Sequence, residues 1–184
     1  MVGMVRDWHK SDTTTVLSDV RGGEADMARR LPNVEKQDTP RMAEQEGLTQ
    51  LVGSWRLVSV GATYTDTKER IEFYGPHPTG YMVLSPNGRI IFLFSRADRT
   101  PPQTDADRAT LFSAMTAYTG RVRIEAEDRF VITVDLAWDP GWTGEQIRYF
   151  TLEGHRLKIR TPAQMHPQMG SRQFVGDLVW ERET

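Results

Sequence analysis

Hydrophobic residues are distributed along this chain in two textures. Up to about Glu46 they stand singly, as Trp8, Leu17, Met27 and Leu31, in a polar background punctuated by Ser11-Asp12-Thr13-Thr14-Thr15 and Pro32-Asn33. Glu24 to Leu31 has the makings of two helical turns, but such a segment cannot bury enough apolar surface to fold alone. From Leu48 onward the hydrophobes gather into short runs separated by turn residues, the pattern of an all-β domain. The chain therefore divides into a polar leader, residues 1–47, and a β domain, residues 48–184.

The runs predict their own hairpins. Thr79 to Ser85 and Arg89 to Phe94 flank Pro86-Asn87-Gly88, and Asn-Gly predicts a tight turn with positive φ at both central residues. Gly120 to Glu127 sets Arg121, Arg123 and Glu125 against Val122, Ile124 and Ala126, a strand with one wet face. Asp128-Arg129 turns it into Phe130 to Ala137. Gln146 to Leu152 and Leu157 to Thr161 are joined across Gly154-His155, which predicts Leu152 opposite Leu157 and Phe150 opposite Ile159. With Ser54 to Val60, Arg70 to Phe73 and a last strand from about Phe174 to Glu183, the reading is a meander of eight or nine antiparallel strands. One helix is expected, Asp105 to Tyr118, with Leu111, Phe112, Met115 and Tyr118 along one stripe.

Two short motifs predict how the meander ends. Gly53-Ser54-Trp55 opens the first strand and Trp180-Glu181-Arg182 closes the last. Closure of a barrel sets these strands side by side. The indole then plugs one end with the guanidinium across its face, an attraction of roughly 0.5–2 kcal/mol when desolvated. A barrel this small either fills itself with side chains or holds one small ligand.

Bulk properties remove several function classes. A net charge of −2 over 184 residues lacks the basic excess of a nucleic-acid surface. With no cysteine, disulfides and thiolate metal sites are excluded, and the expected compartment is a reducing cytoplasm. No run approaches the ~18 apolar residues of a membrane helix, so no membrane partner is expected. There is no Gly-x-Gly-x-x-Gly, P-loop, His-Glu-x-x-His or Gly-x-Ser-x-Gly motif. His9, His77, His155 and His166 show no metal-ligand spacing and are expected in solvent. No metal and no cofactor is therefore anticipated.

A set of blocks carries a family resemblance. Leu51 to Ser59, Gly75-Pro76-His77-Pro78-Thr79-Gly80-Tyr81 with Ser85-Pro86-Asn87-Gly88, Ala117-Tyr118-Thr119-Gly120, Pro140 to Arg148, and Leu178-Val179-Trp180-Glu181-Arg182 occur in this order. Together they resemble the bacterial and fungal lipocalin-like domain family over about Leu51 to Arg182. The resemblance implies an antiparallel, 8–9-stranded lipocalin-like barrel with one short helix, and it implies no single activity. Members that it resembles carry histidine in the strand before the Pro-x-Trp block. Here that strand reads Val131-Ile132-Thr133-Val134-Asp135, so no role for such a histidine transfers. More distantly, a polar leader ahead of a small barrel is similar to spiro-forming [4+2] cyclases in which an N-terminal segment caps the barrel mouth.

Candidate chemistry centres on Arg148. The predicted register points Gln146 and Arg148 inward, and a buried guanidinium needs a partner or a ligand. Either the pair holds a carbonyl or enolate of a ligand, or Arg148 is satisfied by a carboxylate and backbone carbonyls. Asp135 pairs with Arg148 or acts as a base, or else points to water if Ile132, Val134 and Leu136 form the core face. Tyr74, Tyr81, Tyr118, Tyr149 and Thr133 are candidates to line a cavity, and Trp138 and Trp142 to rim its mouth. The resulting expectation is a cofactor-independent cyclase acting on a hydrophobic natural-product precursor, with the leader as a lid carrying Trp8, Val16, Leu17 and Met27. The alternative is a non-catalytic carrier or sensor of a small hydrophobic molecule. The doubly apolar run Arg89 to Phe94 leaves a homodimer surface as a further possibility.

Overall fold

The structure is a computed structural model; residues 45–166 and 170–184 are described here. The leader's Trp8, Val16, Leu17 and Met27 lie outside these residues. Helix α1, residues 45–51, leads into nine strands: β1 (Gly53–Tyr64), β2 (Arg70–Ile71), β3 (Thr79–Leu84), β4 (Arg89–Ser95), β5 (Met115–Ala126), β6 (Arg129–Ala137), β7 (Gly144–Glu153), β8 (Arg156–Arg160) and β9 (Phe174–Arg182). Helix α2, Asp105–Ser113, lies between β4 and β5. Eight strands pair antiparallel in the order β1-β3-β4-β5-β6-β7-β8-β9, and β9 pairs back onto β1 to close the barrel. The short β2 is an extra strand on β1. No helix among the described residues is long and apolar enough to cross a membrane.

Barrel closure follows the two terminal motifs. Trp55 pairs with Arg182 across β1 and β9, and the Arg182 guanidinium carbon sits 4.1 Å from the indole centroid. Arg182 also donates to the carbonyls of Gln50 and Val52, and Trp55 Nε1 donates to Leu51 O at 2.9 Å. These bonds satisfy the carbonyls of Gln50 and Leu51 at the C-terminus of α1, and of Val52 just beyond it, which have no partner within the helix. The helix is thereby fixed across one barrel pole, with Leu51 buried beneath it.

Two hairpins refine their predicted chemistry. The Gly154-His155 turn joins β7 and β8 with Leu152 opposite Leu157 and Phe150 opposite Ile159, as the alternation requires. The Pro86-Asn87-Gly88 turn is of a different kind from the one expected. Only Gly88 has positive φ, at 79°, and its N–H donates to Ser85 O. Proline fixes φ near −65°, so Pro86 cannot enter a turn with positive φ; the chain makes an ordinary turn and then a left-handed glycine.

The predicted helix is shortened. Thr104 caps α2 and Asp107 completes the reciprocal capping box, but the helix stops at Ser113 and buries none of its residues. Short helices gain most of their stability from packing an apolar face, and this one packs only partly, with Leu111 half-buried and the Phe112 ring against Trp138. Met115 to Tyr118 instead open β5, where Tyr118 pairs with Phe92 and stacks on its ring at 4.9 Å between centroids.

Irregularities in the strands decide which side chains enter. A bulge between Leu57 and Ser59 resets the alternation of β1, so that Leu57 faces Trp180, Val60 faces Leu178 and Ala62 faces Gly176. A second, opposite Thr119 and Gly120, pushes Asp135 and Leu136 of β6 outward together. Leu136, on the core face in one of the two readings of this strand, is 69% exposed. In β4 the ambiguity between faces resolves with Ile90, Phe92 and Phe94 inside, leaving Ile91 and Leu93 outside beside Tyr81 and Val83.

Candidate functional site

The interior is filled at one pole and hollow at the other. Near α1, Trp55, Leu57, Leu84, Ile90, Leu157 and Trp180 pack as one core. Toward the other end the facing inner residues shrink from Leu57–Trp180 through Val60–Leu178 to Ala62–Gly176. A cavity opens where they are smallest. It has about 70 Å³ of room for the centre of a water molecule, within about 620 Å³ of space between atoms that includes the open mouth. Phe73 and Tyr74, after β2, and Gln164 and His166, between β8 and β9, complete its wall.

The wall is apolar apart from a few groups, most of them spoken for. Tyr74 shares a 2.5 Å hydrogen bond with Thr116. Burial pushes the Tyr74 hydroxyl up to about 12, only partly offset by Thr116, so it stays neutral. The Thr161 hydroxyl accepts from Gly176 N–H at 2.8 Å and donates to Pro162 O at 2.9 Å. Trp142 Nε1 is buried without a hydrogen-bond partner among the described residues.

Arg148 also has hydrogen-bonding capacity to spare. It sits in β7 opposite Phe130, on the inner face, and is only 3% exposed. Its Nη1 donates to Ile147 O at 2.7 Å, while Nη2 reaches the Tyr118 hydroxyl at 3.4 Å and Gln146 Oε1 at 3.5 Å. None of the ion pairs among the described residues includes it. A guanidinium carries five N–H donors, so donor capacity is left over. Tyr118 accepts from Arg148 and retains its own proton to donate.

His166 stands beside this cation. Its ring lies 4.7 Å from that of Trp142, and both rings face the cavity on one side and an outer cleft with Gln146 and Met165 on the other. Burial holds its pKa down to about 4; Asp139 opposes that shift and Arg148 reinforces it. The imidazole is neutral at pH 7. The expectation of a solvent-exposed His166 is corrected here, and no spacing in the sequence signalled its burial.

The structure brings some candidate residues together and separates others. Arg148, Tyr74, Tyr118 and Trp142 line the cavity. Gln146 is on the inner face opposite Ile132 and touches Arg148, but it lines the neighbouring cleft rather than the cavity, and its carboxamide donates to Thr143 O at 3.1 Å. Trp138 lies outside the cavity wall; its Nε1 donates to Phe112 O and its ring packs near His166. Tyr81, Thr133 and Tyr149 point outward, because each neighbours an inward residue on a strand of period two. Asp135 is also outside, paired with Arg89 rather than Arg148. A base on the outer face cannot reach a ligand in the barrel. The small pair Ala62 and Gly176, which creates the space, went unpredicted because its register depends on the bulge in β1.

Residues 52–183 match the family model described as the lipocalin-like domain. The chain belongs to this family. Its lipocalin-like barrel is of the kind that takes a small hydrophobic ligand. Among solved structures, a redesigned β-barrel, b11L5F_LGL, is similar with 15% identity and a TM-score of 0.38, covering 75% of this chain and 96% of that one. A second, EF1p2_mFAP2b bound to DFHBI, is similar with 13% identity and a TM-score of 0.37, covering 77% and 99%. No curated protein matches the chain.

Proposed function

We propose that this lipocalin-like barrel binds one small, mainly apolar molecule at its hollow end, with an oxygen-bearing head group on Arg148. The observation that carries the reading is a nine-tenths-buried guanidinium with spare donors in an otherwise apolar cavity. Apolar walls supply affinity, and a few placed polar groups fix orientation. The experiment is isothermal titration of the full chain with small aliphatic and aromatic oxygen compounds, followed by Arg148→Met. Saturable binding that weakens in the variant supports the reading; no binding by a folded chain opposes it.

Cofactor-independent cyclisation of a hydrophobic natural-product precursor is the finer reading of the same site. One feature favours it: Arg148 N–H groups and the Tyr118 hydroxyl share one wall and can polarise a carbonyl as charge develops on it. The cavity would hold a linear chain so that its reacting carbons approach, an entropic contribution of roughly 7–11 kcal/mol in the best cases. Asp135 has no part in such a step. The leader is assigned the role of lid in this reading, and deleting residues 1–40 tests it. Turnover of a linear diene–dienophile substrate should be abolished, whereas a carrier would lose only a little affinity. Pairing of two copies through the apolar outer face of β3 and β4 is read by sedimentation equilibrium, with a monomer mass excluding it.

A further inference from the structure

We infer that the ligand of the hollow end is an organic monoanion, a small apolar carboxylate whose charge is neutralised by Arg148. The inference rests on the reading of that cavity as a ligand site and adds the charge of its occupant.

Three observations carry it. First, the residues lining the cavity include one permanent cation and neither aspartate nor glutamate. A buried charge is costly unless paired, and an arginine stays charged at every accessible pH. Second, no described carboxylate pairs with Arg148, whereas the exposed Arg56, Arg96, Arg123 and Arg172 each have one. Third, Arg148 makes one hydrogen bond of ordinary length, to Ile147 O, and two near the limit of such bonds. The guanidinium thus has one strong contact and two weak ones, which leaves it unsaturated.

The neighbouring groups do not supply the missing charge. His166 and Tyr74 are neutral at pH 7, and Asp139, the acid whose charge is felt at His166, is outside the cavity lining. A carboxylate takes two parallel N–H bonds from a guanidinium, and the Tyr118 hydroxyl stands beside Nη2 to add a third. The apolar remainder of the ligand would lie against Val60, Phe92, Ile159 and Leu178. A neutral ketone or amide of the same shape would leave the cation unpaired and desolvate it further.

The test compares matched pairs on the full chain: butyrate, hexanoate, benzoate and cinnamate against their primary amides, by isothermal titration at about pH 7.5, where the acids are ionised. The acids should bind at least about tenfold tighter than the amides, the range expected of charge-assisted hydrogen bonds. Arg148→Met should erase that ratio, and Arg148→Lys should keep part of it. The wild-type ratio decides the matter even if the methionine variant fails to fold. Amides binding as tightly as acids would overturn the anion inference and leave the cavity as a neutral-ligand site. Binding of neither series by the folded chain would overturn the ligand-site reading itself.

Discussion

The guanidinium of Arg182, on the last strand, lies over the indole of Trp55, on the first, with 4.1 Å between its central carbon and the ring centroid. The contact does three things at once. It locks the two strands whose pairing closes the barrel, it shields an indole that is fully buried, and it ties off the carbonyls of Gln50 and Val52. The packed pole is therefore anchored independently of the hollow end.

Removing that anchor should be costly. Arg182→Met loses the cation–π contact and two charge-assisted hydrogen bonds and should lower stability by about 2–4 kcal/mol in urea unfolding. Arg182→Lys keeps the charge but not the fork and should fall between the two. A loss under about 0.5 kcal/mol would mean that the contact is incidental.

The hollow end should be fillable without loss of the fold. Ala62 faces Gly176 at the narrowest inner pair, and a leucine at position 62 would project into the cavity. Ala62→Leu should reduce ligand affinity by at least about tenfold while changing stability by less than about 1.5 kcal/mol, since the added atoms enter empty space. Calorimetric titration and urea unfolding of the same variant separate the two effects.

Two glycines should not tolerate a methyl group. A Cβ on Gly80 would collide with Phe94 Cβ and stand 2.5 Å from Leu93 O; one on Gly120 would meet Thr133 O and lie 2.7 Å from Ile132 Cγ2. The obstacles include backbone, which cannot rotate away. Gly80→Ala and Gly120→Ala should each destabilise by about 1–3 kcal/mol, measured by thermal or urea unfolding.

Acid should weaken the fold through His166. Its folded pKa of about 4 lies below the ordinary 6.5, so between these values the unfolded chain binds a proton that the folded chain refuses. The contribution is neutral above pH 6.5 and grows unfavourable as pH falls toward about 4, reaching about 3 kcal/mol at roughly 1.4 kcal/mol per pH unit. His166→Gln should flatten that limb of the stability–pH curve; an unchanged limb would contradict the burial of a neutral imidazole.

Much of the barrel was legible in the sequence because its strands alternate. Arg156, Lys158 and Arg160 mark a wet face, which fixes Phe150 and Arg148 as inward without any structure. The Trp55–Arg182 contact could be anticipated for a similar reason, since closure pairs the first strand with the last. Two of the failures share a cause. A bulge shifts alternation by one residue, and nothing in Leu57-Val58-Ser59 or Val134-Asp135-Leu136 announces it. Candidates downstream of a bulge, Leu136 and the pair Ala62–Gly176, were misplaced or missed. Tyr81 and Tyr149 failed differently: aromatic residues suit a pleated surface on either face, so residue type alone does not separate lining from exterior. The end of α2 was obscured because Met115 and Tyr118 continue a helical stripe while also serving β5.

The central claim is that the guest enters the hollow end and leaves the packed pole untouched. A methyl-resolved NMR titration of the full chain with hexanoate reads this directly, because the methyl groups divide between the two ends. Shifts should concentrate at Val60, Ala62, Ile159 and Leu178, which line the cavity, and spare Leu51, Leu84 and Ile90 at the packed pole. Shifts confined to Val83, Ile91 and Leu93 on the outer sheet, or none at saturating ligand, would contradict it.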